Sequence, residues 1–370
     1  MSSDVMNTDE IGSGIVAIQR KARFADTSTD EWGVRLRELI TSQPGISQAN
    51  VSNVRQVGTA AGGSNGTLLF DADYVVDGQR TDKKLVLRFL PVKGLFHRYD
   101  VKAQFDLQKA LETSDVPVPK QLWLDQEGRY LQRPGYVMEQ VRGGSTPMTW
   151  MTSGLIADAT PADRRKMTTA FVHALATIHH VDWKAAGLQW LERRATGSRP
   201  IEREVNWYWD ALIWSKSSVY TDRLEKVRQW LIANEPTDTD TVLCHGDANL
   251  GNYLFEGTEI TAVVDWEMAF LGSPECDLAF LKCGDQILQS ETPWPEGAIS
   301  YDEMYVEYER FSGRKLKHMD YFEFFCNYRM AVINVLAMGH FPPEVLESFM
   351  PVLRRGPELC FKRAQELGIL

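Results

Sequence analysis

Cys244-His245-Gly246-Asp247-Ala248-Asn249-Leu250-Gly251-Asn252 precedes a short apolar strand, Ala262-Val263-Val264, that ends at Asp265-Trp266-Glu267; the spacings within this stretch decide how the chain is read. Asp247 stands five positions before Asn252. That is the interval of a phosphoryl-transfer loop, in which an aspartate accepts a hydroxyl proton and an asparagine holds a metal ion. Asp265 follows after a hairpin-length gap, at the end of a buried strand. A second oxygen ligand is needed there, because Mg²⁺ takes few protein carboxylates and fills its shell with water and nucleotide phosphates. Either residue alone in a turn would be explained by local Asx hydrogen bonding. The spacing together with the strand-ending acid points to chemistry instead.

Working outward, the periodicity changes several times. Residues 1–27 read as a loose tail, with neither the basic start nor the apolar block of an export signal. Ser28-Thr29-Asp30-Glu31 reads as a capping box opening a helix to about Ile40, with Trp32, Leu36 and Ile40 recurring every four residues. From about Val54 to Leu90 the pattern is strand, glycine-rich turn, strand, Asp77-Gly78 turn, strand, with Leu85, Leu87 and Phe89 alternating. Asp100 caps a helix running to about Leu111, and Val116-Pro117-Val118-Pro119 forces extended backbone before strands near 120–124 and 135–141. Arg142-Gly143-Gly144-Ser145 reads as a linker. Beyond it the signal is mostly helical: Thr160-Pro161 and Asp163 open a helix whose stripe is Met167, Phe171, Leu175 and Ile178, and a β-rich interruption falls at 241–265. The expected fold is α+β, with a small antiparallel-sheet lobe and one main helix over 28–142 and a larger, mainly helical lobe over 143–370.

Composition bounds the partners. A chain of 370 residues, 44% hydrophobic and 24% charged, has an ordinary globular composition. Its formal charge of −10 argues against general binding to nucleic-acid phosphates or to an anionic membrane surface. No uncharged apolar run approaches the ~20 residues that span a bilayer. Five cysteines without a CxxC pair, in a chain without an apolar leader, suggest reduced thiols and a cytoplasmic location. His179 and His180 have no metal-ligand partner one helical turn away, which argues against zinc. The glycine run from Gly58 to Gly66 lacks a Gly-Lys-Ser or Gly-Lys-Thr ending, and it joins two strands, so neither a P-loop nor a dinucleotide-binding turn is indicated.

With these residues in view, the chain resembles the aminoglycoside phosphotransferase and choline kinase superfamily, which has the protein-kinase-like fold. His245-Gly246-Asp247 through Asn252 is similar to its catalytic loop, Asp265 to its metal-binding aspartate, and Cys276-Asp277-Leu278-Ala279 to the helix start that follows. Gly62-Gly63-Ser64-Asn65, Leu85-Val86-Leu87-Arg88, Val116-Pro117-Val118-Pro119, Tyr136-Val137-Met138-Glu139 and Ile178-His179-His180-Val181-Asp182 fall in the same order as in that group. The resemblance implies that Asp247 is the base and that Asn252 and Asp265 are magnesium ligands, with Glu267 assisting a second metal. It also implies that Gly63, Ser64 and Asn65 lie in a loop over the ATP phosphates and that Arg88 replaces the phosphate-binding lysine. The backbone from Met138 to Val141, with Glu139 and Val141, would be the hinge that receives the base. One position departs from the pattern: Gln104 stands where the family usually places the glutamate that pairs with the strand cation, and Asp106 points to another face of the helix.

The expected function is thus an ATP- and Mg²⁺-dependent kinase acting on a hydroxyl group of a small molecule, as a monomer or homodimer, with no nucleic-acid or membrane partner. A nucleotide-binding regulator without transfer is the alternative suggested by Gln104 and Glu267. A protein-serine kinase is disfavoured, since there is no Ala-Pro-Glu element and little chain after Asp265 for an activation segment. The segment from Glu202 to Asp210, followed by Trp214, mixes bulky aromatics with acids. Core packing and an acceptor pocket are both open to it.

Overall fold

The computed structural model describes residues 27–57, 66–91, 94–341 and 343–370, and these divide into two compact units. The first comprises the described residues up to Lys109 together with Pro119–Val141; the second comprises Ala110–Val118 and Arg142–Leu370.

The first unit is one antiparallel sheet with a helix on each face. Helix α1 (Thr29–Thr41) starts where Ser28 accepts from the Glu31 N–H at 3.2 Å. The expected capping box is made only in that half, because the Glu31 carboxylate turns to Arg35 one turn on. Strands β1 (Ile46–Gln56), β2 (Gly66–Val76), β3 (Gln79–Phe89), β4 (Gln121–Asp125) and β5 (Gly135–Glu139) pair in the order β1-β2-β3-β5-β4. β1 begins well before the expected Val54, since its outward residues are polar and carry little alternation to read. Asp77 and Gly78 both have positive φ, 50° and 80°, so the two-residue hairpin turn matches the twist of its strands. Trp32, Leu36, Leu39 and Ile40 of α1 pack on Phe70, Leu85, Leu87 and Phe89. Alternation sends Val86 to the other face, with Tyr136 and Met138, where Val101 of α2 (Val101–Leu111) covers them.

The second unit is helical around two short two-stranded antiparallel sheets. It contains α3 (Gly154–Asp158), α4 (Pro161–His179), α5 (Pro200–Trp214), α6 (Thr221–Ala233), β6 (Val242–Cys244), β7 (Tyr253–Glu256), β8 (Glu259–Val263) and β9 (Phe270–Gly272). Four further helices follow: α7 (Glu275–Leu288), α8 (Tyr301–Ser312), α9 (Met319–Met338) and α10 (Pro343–Glu366). Thr160 caps α4 by accepting from the Asp163 N–H, and Met167, Phe171, Leu175 and Ile178 are buried along it. The expected linker is pinned rather than free. Gly144 and Phe255 exchange both backbone hydrogen bonds, at 2.9 and 2.8 Å, which seats residues 142–144 against β7. At Gly143, φ is +116° and a Cβ would stand 2.7 Å from Thr261 Oγ1, so this approach needs glycine. Pro117 is likewise tied in, its carbonyl accepting from the Val263 N–H at 2.7 Å at the end of β8. All five cysteines are free and buried, and no helix among the described residues is long and apolar enough to cross a membrane.

A buried acid joins the entrance of this unit to its helices. Asp285 on α7 accepts from Trp150 Nε1 (3.0 Å), Gln289 Nε2 (2.9 Å) and the Tyr301 hydroxyl (2.8 Å). Burial pushes its carboxyl up to about 7, against the opposing effect of these donors. The folded chain therefore keeps a proton there that the unfolded chain releases nearer pH 4, and this group's contribution to stability falls as pH rises from about 4 to about 7. Asp285→Asn, neutral throughout, should lose that slope. Urea-unfolding midpoints at pH 5 and pH 8 should show the wild type gaining more stability at the lower pH than the variant does.

Candidate active site

The quoted stretch folds as a turn between two strand pairs. β6 pairs with β9 and β7 with β8, so the residues after Cys244 and those after Val263 come off neighbouring strand ends. The Val264 N–H donates to the Asn252 carbonyl at 2.9 Å and closes the two segments together. Gly246 has φ +82°, and a Cβ there would sit 2.0 Å from the Met268 carbonyl oxygen. Only glycine fits this close backbone approach. Asp265 also lies in the left-handed region, at φ 68° and ψ 56°, a conformation that costs a non-glycine residue about 1–3 kcal/mol and clusters at functional sites.

The two consecutive amides of the turn end on one carboxylate. Asp277 of α7 accepts from His245 N at 2.7 Å with Oδ2 and from Gly246 N at 2.9 Å with Oδ1. His179 Nε2 lies 3.1 Å from the same Oδ2, and its Nδ1 meets the Tyr308 hydroxyl at 2.8 Å. Burial alone would raise the Asp277 carboxyl. The His179 hydrogen bond, the nearby rings of His179 and His245 and the Gly246 N–H outweigh it and hold the group below its usual range. His245 is committed at both ring nitrogens: Nδ1 accepts from Asp247 N at 3.3 Å and Nε2 donates to the Val264 carbonyl at 2.9 Å. That makes it a spacer between the two segments, not a proton shuttle.

Asp247 then projects from a fixed backbone, and two amides orient its carboxylate. Asn249 Nδ2 donates to Oδ1 at 2.8 Å, and Asn252 Nδ2 donates to Oδ2 at 2.9 Å. Asn252 Nδ2 also donates to the Asp247 carbonyl at 2.9 Å, so its nitrogen is engaged and its remaining side-chain atom is an oxygen acceptor. Asp247, Asn252, Asp265 and Glu267 are all half-buried, while Cys244, Ala248, Tyr253, Val263 and Trp266 around them are buried. Glu267 opens the short helix Trp266–Met268 directly after Asp265. Burial first, and the nearby Asp265 charge second, raise the Asp247 carboxyl, against His245, Asn252 and Asn249. Two like-charged carboxylates and an amide oxygen are a hard-oxygen donor set whose mutual repulsion a divalent cation relieves, so these residues fit Mg²⁺.

In the first unit, Arg88 of β3 lies between Thr67 of β2 and Tyr136 of β5 in the sheet register, and its guanidinium donates to Thr67 Oγ1 at 3.0 Å. Gln104 of α2 is buried, and its side-chain oxygen accepts from the Tyr136 hydroxyl at 3.4 Å. Asp106 pairs with Lys102 on the partly exposed side of α2. Glu139 gives its carboxylate to Lys83 at 2.7 Å and its N–H to the Lys120 carbonyl, and the Gln140 N–H bonds the Lys84 carbonyl. Gly63, Ser64 and Asn65 lie outside the described residues. The aromatic segment of α5 divides: Trp207 and Tyr208 are buried, Trp209 is half-buried beside Arg228, and Trp214 is exposed.

The sequence reading missed two arginines. Arg194 donates to the Met268 and Ala269 carbonyls at 2.7 and 2.6 Å and lies 3.8 Å from the buried Glu204 of α5. Arg329 of α9 is fully buried and donates to the Gly246 carbonyl at 2.6 Å. Its signal was legible: one arginine within Phe-Phe-Cys-Asn-Tyr-Arg-Met-Ala-Val-Ile-Asn-Val-Leu, a helix apolar on nearly every face.

A five-stranded antiparallel unit, a helical unit and this acid-and-amide turn between short hairpins define the kinase-like phosphotransferases. The chain belongs to the phosphotransferase enzyme family, whose sequence model matches residues 69–313. Among curated proteins, it is 31% identical over 224 residues to the Acyl-CoA dehydrogenase family member 10 of Mus musculus, covering 60% of this chain but 20% of that protein. The Gallus gallus Acyl-CoA dehydrogenase family member 11 matches 72% of this chain at 28% identity, and the match takes in 32% of its length. The chain thus spans a third or less of these relatives.

Solved structures share the fold. A protein of Ralstonia eutropha JMP134 assigned to the aminoglycoside phosphotransferases superposes with a TM-score of 0.62 at 21% identity, covering 90% of this chain and 98% of that one. The Plasmodium vivax ethanolamine kinase gives 0.58 at 13%, covering 84% and 83%. A variant of the aminoglycoside phosphotransferase APH(4)-Ia, in a ternary complex with ADP and hygromycin B, gives 0.51 at 13%, covering 85% and 94%.

The close approach at residue 246 sets a stability test. Gly246→Ala forces a strained φ and a backbone collision, and should cost about 3 kcal/mol or more in urea unfolding.

Proposed function

We propose that the protein transfers the terminal phosphoryl group of ATP, with Mg²⁺, to a hydroxyl group of a small molecule. The observation that carries this reading is the Asp247 carboxylate held on both oxygens by Asn249 and Asn252, with the charge of Asp265 beside it. A carboxylate fixed in this way, with its proton affinity raised, suits the acceptance of a proton from an attacking hydroxyl. As the hydroxyl oxygen bonds to phosphorus, its proton passes to Asp247, the bond from phosphorus to the ADP oxygen breaks, and ADP leaves. Asn252 and Asp265 would hold Mg²⁺, with Glu267 assisting a second ion; the metal would supply charge neutralisation at the phosphates. Arg88 would hold a fixed positive charge toward the nucleotide, and Gly63, Ser64 and Asn65 would offer backbone and side-chain donors to it. Glu139 and Val141 would present hinge backbone to the base. The N–H groups of Glu139 and Gln140 are already bonded within the sheet, whereas that of Val141 has no hydrogen-bond partner among the described residues.

The acceptor class we propose is an acyl thioester carrying a hydroxyl. Support comes from the longer relatives, whose names denote acyl-CoA dehydrogenases and within which this chain matches one segment. Phosphorylation turns a hydroxyl into a leaving group, which is a use for this chemistry beside acyl-chain oxidation. Hydroxyacyl-CoA compounds, aminoglycosides and ethanolamine-like amines, each incubated with ATP, should give a phosphorylated product by mass spectrometry for the first class alone.

Asp247→Ala should lower turnover at least ~10³-fold while calorimetry still detects nucleotide binding, and Asp265→Ala should weaken both. Full turnover in the Asp247 variant would refute the assignment of the base. Nucleotide binding with no Asp247-dependent consumption in the wild type would favour the regulator instead.

A further inference from the structure

We infer that Arg329, 83 residues downstream of Gly246, is a positioning residue for Asp247, with Tyr208 as its anchor. The inference deepens the reading above and rests on it for the role of Asp247, but the geometry that carries it lies wholly within the helical unit.

The peptide joining Gly246 to Asp247 is pinned at both ends. Its carbonyl accepts from Arg329 Nη2 at 2.6 Å, and its N–H donates to His245 Nδ1 at 3.3 Å. Asp277 holds the preceding peptide by the Gly246 N–H. A peptide unit is a rigid plane, so fixing the carbonyl and the N–H of one unit sets the direction in which the next Cα presents its side chain. That side chain is the Asp247 carboxylate.

Arg329 is itself held in place. The same Nη2 donates to the Tyr208 hydroxyl at 3.0 Å, and the guanidinium lies over the rings of Tyr208, Phe270, Phe280 and Phe325 at 4.9–5.6 Å. Nε and Nη1 are buried without a hydrogen-bond partner among the described residues, as expected for a planar cation enclosed by ring faces. A fully buried arginine kept only for stability is poorly accounted for, because an apolar side chain of similar volume is often neutral or better. Its one strong bond goes to the backbone of the turn that carries Asp247. The Glu204 carboxyl on α5 lies nearby, raised by burial against the charges of Arg194 and Arg329, and it stands 3.8 Å from Arg194, which holds the Met268 and Ala269 carbonyls just past Asp265.

The test uses the full chain with Arg329→Met and Tyr208→Phe. Tyr208→Phe keeps the ring and removes only the hydroxyl anchor, so it serves if Arg329→Met does not fold. Hydrogen exchange by mass spectrometry is read on the peptide covering 244–252 and on peptides from α7 and α9, and steady-state kinetics on ATP consumption. The expected result is exchange at 244–252 about tenfold faster in Arg329→Met and severalfold faster in Tyr208→Phe, with α7 and α9 at wild-type rates. With it, kcat should fall roughly 10- to 100-fold in Arg329→Met while KM for ATP stays put, as expected for a misplaced reacting group. Unchanged exchange at 244–252 in the folded variants overturns the inference. So does acceleration spread evenly over α7 and α9, or faster exchange at 244–252 with kcat intact. A wild type that consumes no ATP instead defeats the proposed function, and the exchange pattern still decides whether Arg329 fixes the turn.

Discussion

One buried carboxylate organises the helical unit. Asp277 receives two successive backbone amides of the turn at 245–246 and a ring nitrogen of His179, all out of water. An ionised carboxylate without access to solvent is tolerated only when its lone pairs are met by good donors, and here they are. The result is a turn whose backbone is fixed before any ligand arrives, so that little reorganisation is left to the side chains that project from it. α4, α7 and α8 are thereby joined through His179, Asp277 and Tyr308, and the segment that carries Asp247 rests on that junction.

How far the sequence discloses this structure depends on where the information lies. Short-range patterns were legible: the Asp77-Gly78 turn, the Thr160-Pro161 cap and the alternation along 85–89 all have local causes, and they place β2, β3 and α4 as expected. The Asp247-to-Asn252 interval and the strand-ending Asp265 were read from their spacing, and the structure puts 245–252 and 265 at the two ends of the β7–β8 hairpin. Features set by the approach of distant segments were less legible. Glu31 turns to Arg35 in place of closing a capping box, β1 begins early along a polar edge, and the expected linker at 142–145 is paired with β7. Arg329 and Arg194 belong to the same class. Their partners are backbone carbonyls, which carry no sequence signature, and only the oddity of a cation inside an apolar helix could have marked the first of them.

The comparisons agree on fold and family and diverge on what is acted upon. Structures that superpose well carry names of aminoglycoside and ethanolamine kinases, whereas the curated sequences with higher identity are much longer proteins named for acyl-CoA dehydrogenation. Such divergence is expected because one fold hosts sites of different specificity. In this chain α5 buries Trp207 and Tyr208 in the core, whereas Trp209 is half-buried and Trp214 exposed.

The path of the chain through its two units has a consequence for how the molecule can be made. It passes from one unit to the other at 109, returns at 118 and crosses again at 141, so the sheet unit is not a single run of sequence. During synthesis the strands β1–β5 are complete before Val263 exists, and the stretch around Pro117 waits, unpaired, for that amide to emerge from the ribosome. A fragment cut after residue 141 would therefore retain a loop whose partner has been left behind. Neither half is a natural unit for separate expression or for transplantation into another chain.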